Sequence, residues 1–392
     1  MRQLLVVCHD VPSMSVGATL PLYHMIINLS DRYDITLVCF DSHRHDIKKL
    51  SDYLKEYYTL DIPEYTAVKN QLVYTLKNMF TLDNLHTRSI LNYYYREDMM
   101  ELINAKSNDC DVIVSDMPMA FYVKDSSNKK VAYVFDAVAD YNHRMYEKSD
   151  ALKDKLYWYL NYKKTSHYEK CYDKFDRCVV VNKNDKNLLR KSVKAPISVI
   201  ANGVDTDYFK NLERGNNGVK IVFLGDMSTP PNNDAVRYFV DEIYPLVLSK
   251  SIIPFYVVGR KPTSYIKGLE SEVISVTGEV SDVREYLDRD TIFVTPMISG
   301  TGIKNKILEA MSMQLAVVST SKAMDGIYCE DGWECLLADS PDAFCDAIIK
   351  LSEDEGLRTS LGEHARLFVE ENHSWSNCAS KLDSILRQLL GD

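Results

Sequence analysis

Short apolar runs alternate with longer amphipathic stretches along nearly the whole chain. The runs at residues 3–8, 35–39, 111–115, 130–135 and 178–181 are rich in β-branched residues and end at polar or turn-forming positions, the pattern of buried strands. Apolar positions recur at helical spacing over about residues 18–31 and 150–173, and residues 47–106 read as mostly helical with many tyrosines. Strands separated by helices predict a parallel sheet covered on both faces. Ile197-Ser-Val-Ile200 then meets the turn signal Ala201-Asn202-Gly203 and a polar stretch at 211–218. A second alternation begins at Val219, with further strands expected at 254–258, 273–276, 291–295, 315–319 and 335–338. The fold class is therefore α/β, with two Rossmann-like, doubly wound domains of similar size, residues 1–201 and 202–374, facing each other across a cleft. A last helix, 375–392, is capped by Ser374 and repeats Leu382, Ile385, Leu386 and Leu389 on one side. So apolar a face must dock, and it is expected to cross back to the first domain.

Composition narrows the class without naming a function. At 392 residues, 46% hydrophobic and 26% charged, the chain suits two ordered domains. A net charge of −10 argues against a general nucleic-acid binder, although local basic pockets can still hold phosphates. Nine cysteines without a Cys-x-x-Cys pair read as reduced, mostly buried thiols of a cytoplasmic protein. The apolar run Leu4-Leu-Val-Val7 is shorter than a secretory signal needs, and no run approaches a membrane span. Peripheral contact with the inner membrane face remains compatible with that.

The chemistry concentrates at Ser299-Gly-Thr-Gly-Ile-Lys-Asn-Lys-Ile-Leu-Glu309, which follows the run Thr291-Ile-Phe-Val-Thr295. Gly300 and Gly302 permit close approach of a ligand where a helix opens with unpaired N–H groups, which makes the opening an anion site, most naturally for phosphate. Lys304, in the expected first turn, opposes the helix dipole unless an anion sits there. Glu309, about two turns on, suits the hydroxyls of a ribose. The plainer alternative is turn chemistry followed by a solvated Lys306–Glu309 pair. Ligands of such sheets bind outside the carboxyl ends of strands, which adds His9 with the loop to Gly17, Ser115-Asp116, and Asp136 to Asp140 as candidates, each with a structural alternative. Tyr93-Tyr94-Tyr95 beside Arg96 suits either a core or an acceptor or membrane face. Asp205-Thr-Asp207 lies in a turn and is not taken as a metal site.

Six ordered motifs carry a resemblance across the second half: Ala201-Asn-Gly-Val-Asp-Thr-Asp-Tyr-Phe209; Phe223-Leu-Gly-Asp-Met227 with Pro231-Asn-Asn-Asp-Ala235; Val257-Val-Gly-Arg260; Thr277-Gly-Glu-Val280 with Asp282-Val-Arg284; Gly300 through Met311; and Ser374-Trp375. Together they resemble GT-B glycosyltransferases of the GT4-like class, and more closely the bacterial sugar transferases of exopolysaccharide gene clusters. The first half matches through Cys8-His-Asp-Val-Pro12 and Tyr168-Glu169.

The resemblance implies a retaining, metal-independent transferase whose donor, a nucleoside-diphosphate sugar, serves as substrate and not as a cofactor. The second domain would hold the donor and the first a glycan or lipid-linked acceptor. Glu309 matches the glutamate that binds the donor ribose. The N–H groups of Gly302 and Ile303 match the diphosphate cradle, and Val280 the position whose backbone reads the base. Arg260 and Lys304 are the candidate cations for the leaving diphosphate, with Asp136 as a candidate from the first domain. Thr301 stands where many relatives carry the first of two glutamates, and Gly17 where many have two glycines. The Arg-Lys pair common after the first strand of the second domain has no counterpart within residues 225–233. A nucleotide-sugar epimerase and a non-catalytic nucleotide-binding protein are the alternatives on the same architecture.

Overall fold

The computed structural model describes residues 1–14, 19–42, 46–62, 94–212, 218–300 and 302–392. They form two compact units, Met1–Ile200 with Ala379–Asp392, and Ala201–Cys378.

The first unit is built on β1 (Arg2–Cys8), β2 (Tyr33–Asp41), β3 (Glu56–Asp61), β4 (Val112–Asp116), β5 (Lys129–Val134), β6 (Arg177–Val180) and β7 (Ile197–Val199). All pairings are parallel, in the order β3-β2-β1-β4-β5-β6-β7. The apolar run of β1 lies at the centre, with Leu5 between Thr36 and Ile113 and buried on both faces. Around the sheet run α1 (Leu20–Leu29), α2 (Glu97–Ser107), α3 (Val138–Lys148), α4 (Leu152–Glu169) and α5 (Lys183–Leu189).

Two expectations change here. Residues 56–61, read as part of a helical stretch, form a strand paired with β2. Tyr57, Tyr58 and Thr59 suit a pleated surface, and the open ladder of β2 offers backbone partners that a helix would leave unused. Residues 63–93 lie outside the described residues, Tyr93 included. The helix expected over 150–173 ends at Glu169, in a tight turn, and pairs with α3 as an antiparallel hairpin. Asn142 donates to Thr165 at 3.2 Å, and the rings of His143 and Tyr162 lie 4.7 Å apart. At the base the buried Glu169 accepts from the Ala139 N–H at 3.0 Å. Burial lifts its pKa to about 7.

The second unit repeats the scheme with β8 (Lys220–Leu224), β9 (Phe255–Val258), β10 (Ile274–Gly278), β11 (Thr291–Thr295), β12 (Ala316–Ser319) and β13 (Leu336–Leu337). The strands are parallel, in the order β10-β9-β8-β11-β12-β13. Its helices include α6 (Pro230–Tyr238), α7 (Asn305–Ser312), α8 (Pro341–Glu353) and α9 (Glu355–Asn372). Phe223, Phe239, Phe255, Phe293 and Phe344 fill its core. The order reverses between β8 and β11, so the connections leave in opposite directions there and open a crevice at the carboxyl edge.

The chain returns through α10 (Trp375–Leu390). Trp375 lies so close to Gly203 that a Cβ there would come within 2.6 Å of the indole. Further on, Leu382 and Leu386 are buried in the first unit, and Asp383 accepts from the Tyr33 hydroxyl at 2.8 Å and pairs with Arg32 at 2.5 Å. Leu386→Ala is expected to lower the stability of the first unit by about 2–5 kcal/mol, as large-to-small changes in a close-packed core do. Exposed Ser384→Ala should move it by less than about 0.5 kcal/mol. The urea unfolding midpoint of each variant checks this.

Candidate functional site

The crevice at the carboxyl edge of the second sheet is shaped first by glycine. Gly259, after β9, has φ +140° and lies against the Gly225 carbonyl so closely that a Cβ would sit 1.9 Å from the oxygen. A Cβ on Gly225, after β8, would meet the Asn232 amide at 2.6 Å and the Lys306 ammonium at 3.0 Å. Two strand ends thus meet backbone to backbone, and the space above Gly225 is taken by side chains from α6 and α7.

Those side chains form a chain of bonds across the switch point. Lys306 Nζ donates to Asn232 Oδ1 at 2.7 Å, and Asn232 Nδ2 donates to the Asp226 carbonyl at 2.9 Å. The same ammonium lies 4.2 Å from the centre of the Phe223 ring, a cation–π contact at the end of β8. Desolvation lowers the Lys306 pKa to about 7, against the pull of Glu309. Glu309, one turn further along α7, has no hydrogen-bond partner among the described residues. Desolvation raises its pKa to about 7, against the pull of Lys306. A cation and an acceptor are therefore held side by side, each only half satisfied by protein.

The loop before α7 supplies the rest. Gly300 and Gly302 have φ of +97° and +77°, a conformation that side chains resist. Lys304 lies in extended backbone as the residue before α7, not in its first turn as expected, because the helix begins only at Asn305. Its ammonium turns back to the Gly302 carbonyl at 2.7 Å, and burial lowers its pKa. No side chain caps the N-terminus of α7, and Asn305 Oδ1 is buried with no partner among the described residues. Uncapped N–H groups and the positive end of the helix dipole are what an anion needs. Ile303 is partly buried against the core of the unit. Thr301 lies outside the described residues.

The other candidates of this unit are on the same edge. Arg260 follows Gly259 with its side chain 57% exposed, and its Nε pairs with Asp226 at 2.7 Å. Hydrogen bonds from Ser228, helped by Arg260, hold the Asp226 carboxyl at about 2. Val280 follows Gly278, the φ +68° residue that ends β10, and packs partly against the core. Lys306 and Asn232 are the residues that the sequence left unassigned to a role. A lysine three residues before a glutamate looks like a solvated pair, and only the sheet order brings Asn232 and Gly225 to it.

In the first unit the corresponding switch lies between β1 and β4, where the buried Asp116 accepts from the His9 N–H at 2.9 Å and contacts His9 Nδ1 at 2.5 Å and Cys8 Sγ at 3.2 Å. Burial disfavours the imidazolium, but the charge and hydrogen bond of Asp116 outweigh it and raise the His9 pKa. Burial pushes the Cys8 thiol pKa up, and hydrogen bonds to Asp116 hold the trio together. Asp140 pairs with Arg144 at 2.8 Å within α3. Asp136 stands exposed after β5, with its pKa raised by desolvation. Gly17 lies outside the described residues.

Comparison with known proteins agrees with this fold. The solved structure of Anabaena HepE in complex with UDP superposes with a TM-score of 0.68 at 13% identity, covering 98% of this chain and 100% of that one. Sucrose-phosphate synthase from Thermosynechococcus elongatus gives 0.67 at 14% identity, covering both chains completely. The fold is GT-B, two Rossmann-like parallel-sheet units closed by a returning C-terminal helix. Residues 218–354, most of the second unit, match the family described as Glycosyl transferases group 1. A 44.6 kDa uncharacterized protein in the cps region of Klebsiella pneumoniae is 22% identical over 260 residues, 64% of this chain and 66% of that protein. An uncharacterized glycosyltransferase of Methanocaldococcus jannaschii is 24% identical over 237 residues, 56% of this chain and 60% of its own. The matches thus span just under two thirds of these relatives.

The partly buried, desolvated charges of the site should cost stability when no ligand is present. The Glu309 pKa is raised on folding, so its folded state is favoured below the unfolded value and that advantage is lost as pH rises from about 4.5 to about 7. Glu309→Gln should therefore stabilise the unliganded protein by about 1–3 kcal/mol at pH 8 and by nothing measurable at pH 4.5. Denaturant unfolding at the two pH values tests this.

Proposed function

We propose that the protein is a retaining glycosyltransferase that moves a sugar from a nucleoside-diphosphate sugar to a glycan or lipid-linked acceptor, in polysaccharide or glycoconjugate biosynthesis. The observation that carries this is the pair Lys306 and Glu309 at the switch point, beside a helix N-terminus that no side chain caps. In this assignment the diphosphate lies at the opening of α7, against the backbone N–H groups of Gly302 and Ile303, and Glu309 accepts from ribose hydroxyls. The base reaches the backbone at Val280. The second unit is the donor domain, and the first, with Asp136, serves the acceptor.

As the bond from sugar to diphosphate breaks, negative charge grows on the leaving group, and fixed cations that face it lower the barrier. Lys306 suits that task better than the two cations first favoured. It is desolvated and immobilised between Asn232 and the Phe223 ring, whereas Arg260 is exposed and already paired with Asp226. Lys304 would complete the cradle from the loop. These cations and the helix dipole supply the positive charge, and the reaction as proposed needs no metal. The relation to a cps-region protein supports a pathway in surface polysaccharide. We place the activity in the cytoplasm with peripheral contact at the inner membrane face; no helix of the described residues is long and apolar enough to cross a membrane.

Calorimetric titration with UDP, GDP and ADP tests the assignment. One of them is expected to bind, and Glu309→Ala to weaken it by about 1–3 kcal/mol, the worth of hydrogen bonds to a charged group. Absence of binding by all three would sink the assignment. Once a donor is identified, Lys306→Met should lower kcat by about 10²–10³-fold with a smaller change in KM, and Arg260→Ala by clearly less. Equal losses in both variants would overturn the assignment of Lys306. Interconversion of the donor without acceptor, followed by product chromatography, would favour an epimerase.

A further inference from the structure

The hairpin of α3 and α4 carries a surface that the donor chemistry does not use. Its base stands on the carboxyl edge of the first sheet, where Tyr168 bonds the carbonyl of Met117 just after β4 and Glu169 caps α3 just after β5. The tip lies about 16 Å further on, given the 11 residues of α3 at about 1.5 Å each. Burial falls steeply along it. Thr165, Tyr168 and Glu169 are at most 5% exposed, while Leu160, Leu156 and Leu152 are 43%, 58% and 84% exposed towards the tip. Those three leucines are four residues apart and form one stripe on the side of α4 away from the ring contacts with α3.

The stripe is bordered by lysine and tyrosine. Lys153, Tyr157, Lys163 and Lys164 fall in adjacent rows of the same face, and Tyr157 is 58% exposed. The only carboxylate between residues 151 and 168, Asp154, lies off that face. Glu147 and Asp150 lie at the tip of the hairpin, but in a chain of net charge −10 this one face of α4 gathers apolar and cationic groups. We propose that this face of α4 seats the protein on an anionic lipid surface. Leucines enter the boundary between headgroups and acyl chains, lysines reach back to lipid phosphates, and tyrosine rings sit at the interface. A second copy is the poorer occupant, because a two-fold contact would press lysine rows against each other. Such seating would bring the carboxyl edge that carries Asp136 to within a hairpin's length of a membrane, suiting an acceptor anchored in lipid. The binding itself does not depend on the transferase assignment.

Flotation of the full chain with vesicles tests it. Binding is expected to vesicles of phosphatidylcholine with phosphatidylglycerol, falling with added salt, and at least tenfold weaker to phosphatidylcholine alone. The triple change Leu152→Ser, Leu156→Ser, Leu160→Ser should lose at least tenfold in binding, as should Lys153→Gln with Lys163→Gln. Because these side chains are exposed, thermal unfolding of both variants should match the parent, and nucleotide binding should be unchanged. Failure to float with either vesicle, or unchanged flotation of the leucine variant, overturns the proposal. So does a dimer in sedimentation velocity that the leucine variant abolishes, which would make the face a contact between copies.

Discussion

The site of the second unit depends on how one ammonium group is kept partly buried at the point where the strand order of its sheet reverses. Lys306 can lie over Phe223 only because Gly225 leaves room above β8, and Gly225 is in reach only because Gly259 lets the two strand ends touch. Asn232 then satisfies the cation with one end of its amide and anchors itself on the Asp226 carbonyl with the other. Remove the backbone contact and the strand ends part, the amide loses its anchor, and the cation has no reason to stay buried. A desolvated charge with few partners is expensive, and the proposed assignment gives this one a ligand to meet.

The same economy explains why Glu309 is left with so little. In the proposed assignment Glu309 receives hydroxyls from a ligand and so is not satisfied by protein beforehand, and the unliganded chain carries the cost of desolvation. Fold and site pull in opposite directions at this residue, and the large apolar core around Phe223, Phe255 and Phe293 absorbs the difference. In the first unit the polar groups at the equivalent edge are treated otherwise. Asp116 is fully buried, with several donors gathered on it, and so reads as a brace for the loop after β1 and not as a group waiting for a partner.

Much of the architecture was legible in the chain, because period carries it. Buried parallel strands leave unbroken β-branched runs, and the alternation of such runs with helices announces two doubly wound units. The failures came where period is weak or shared. Tyr57-Tyr58-Thr59 has too few residues to separate strand from helix, and pairing along β2 decided it. The helix expected over 150–173 stops at Glu169, and its partner α3, with only two buried residues among its eleven, leaves little apolar period to read.

At the site the division is sharper. The sequence by itself determined that a helix opens just after Gly300 and Gly302, and that a carboxylate lies further along that helix, since glycine conformation and helical spacing are local properties. It could not rank the cations. Arg260, Lys304 and Lys306 are alike as letters, and their difference is burial and partnership: one exposed and paired with Asp226, one folded back on its own loop, one held over an aromatic ring by Asn232 from a helix seventy-odd residues earlier. Contacts of that range depend on sheet order and on two glycines fitting against each other. Only the tertiary structure decides them, because desolvation is a property of everything packed around a group and not of the residue itself.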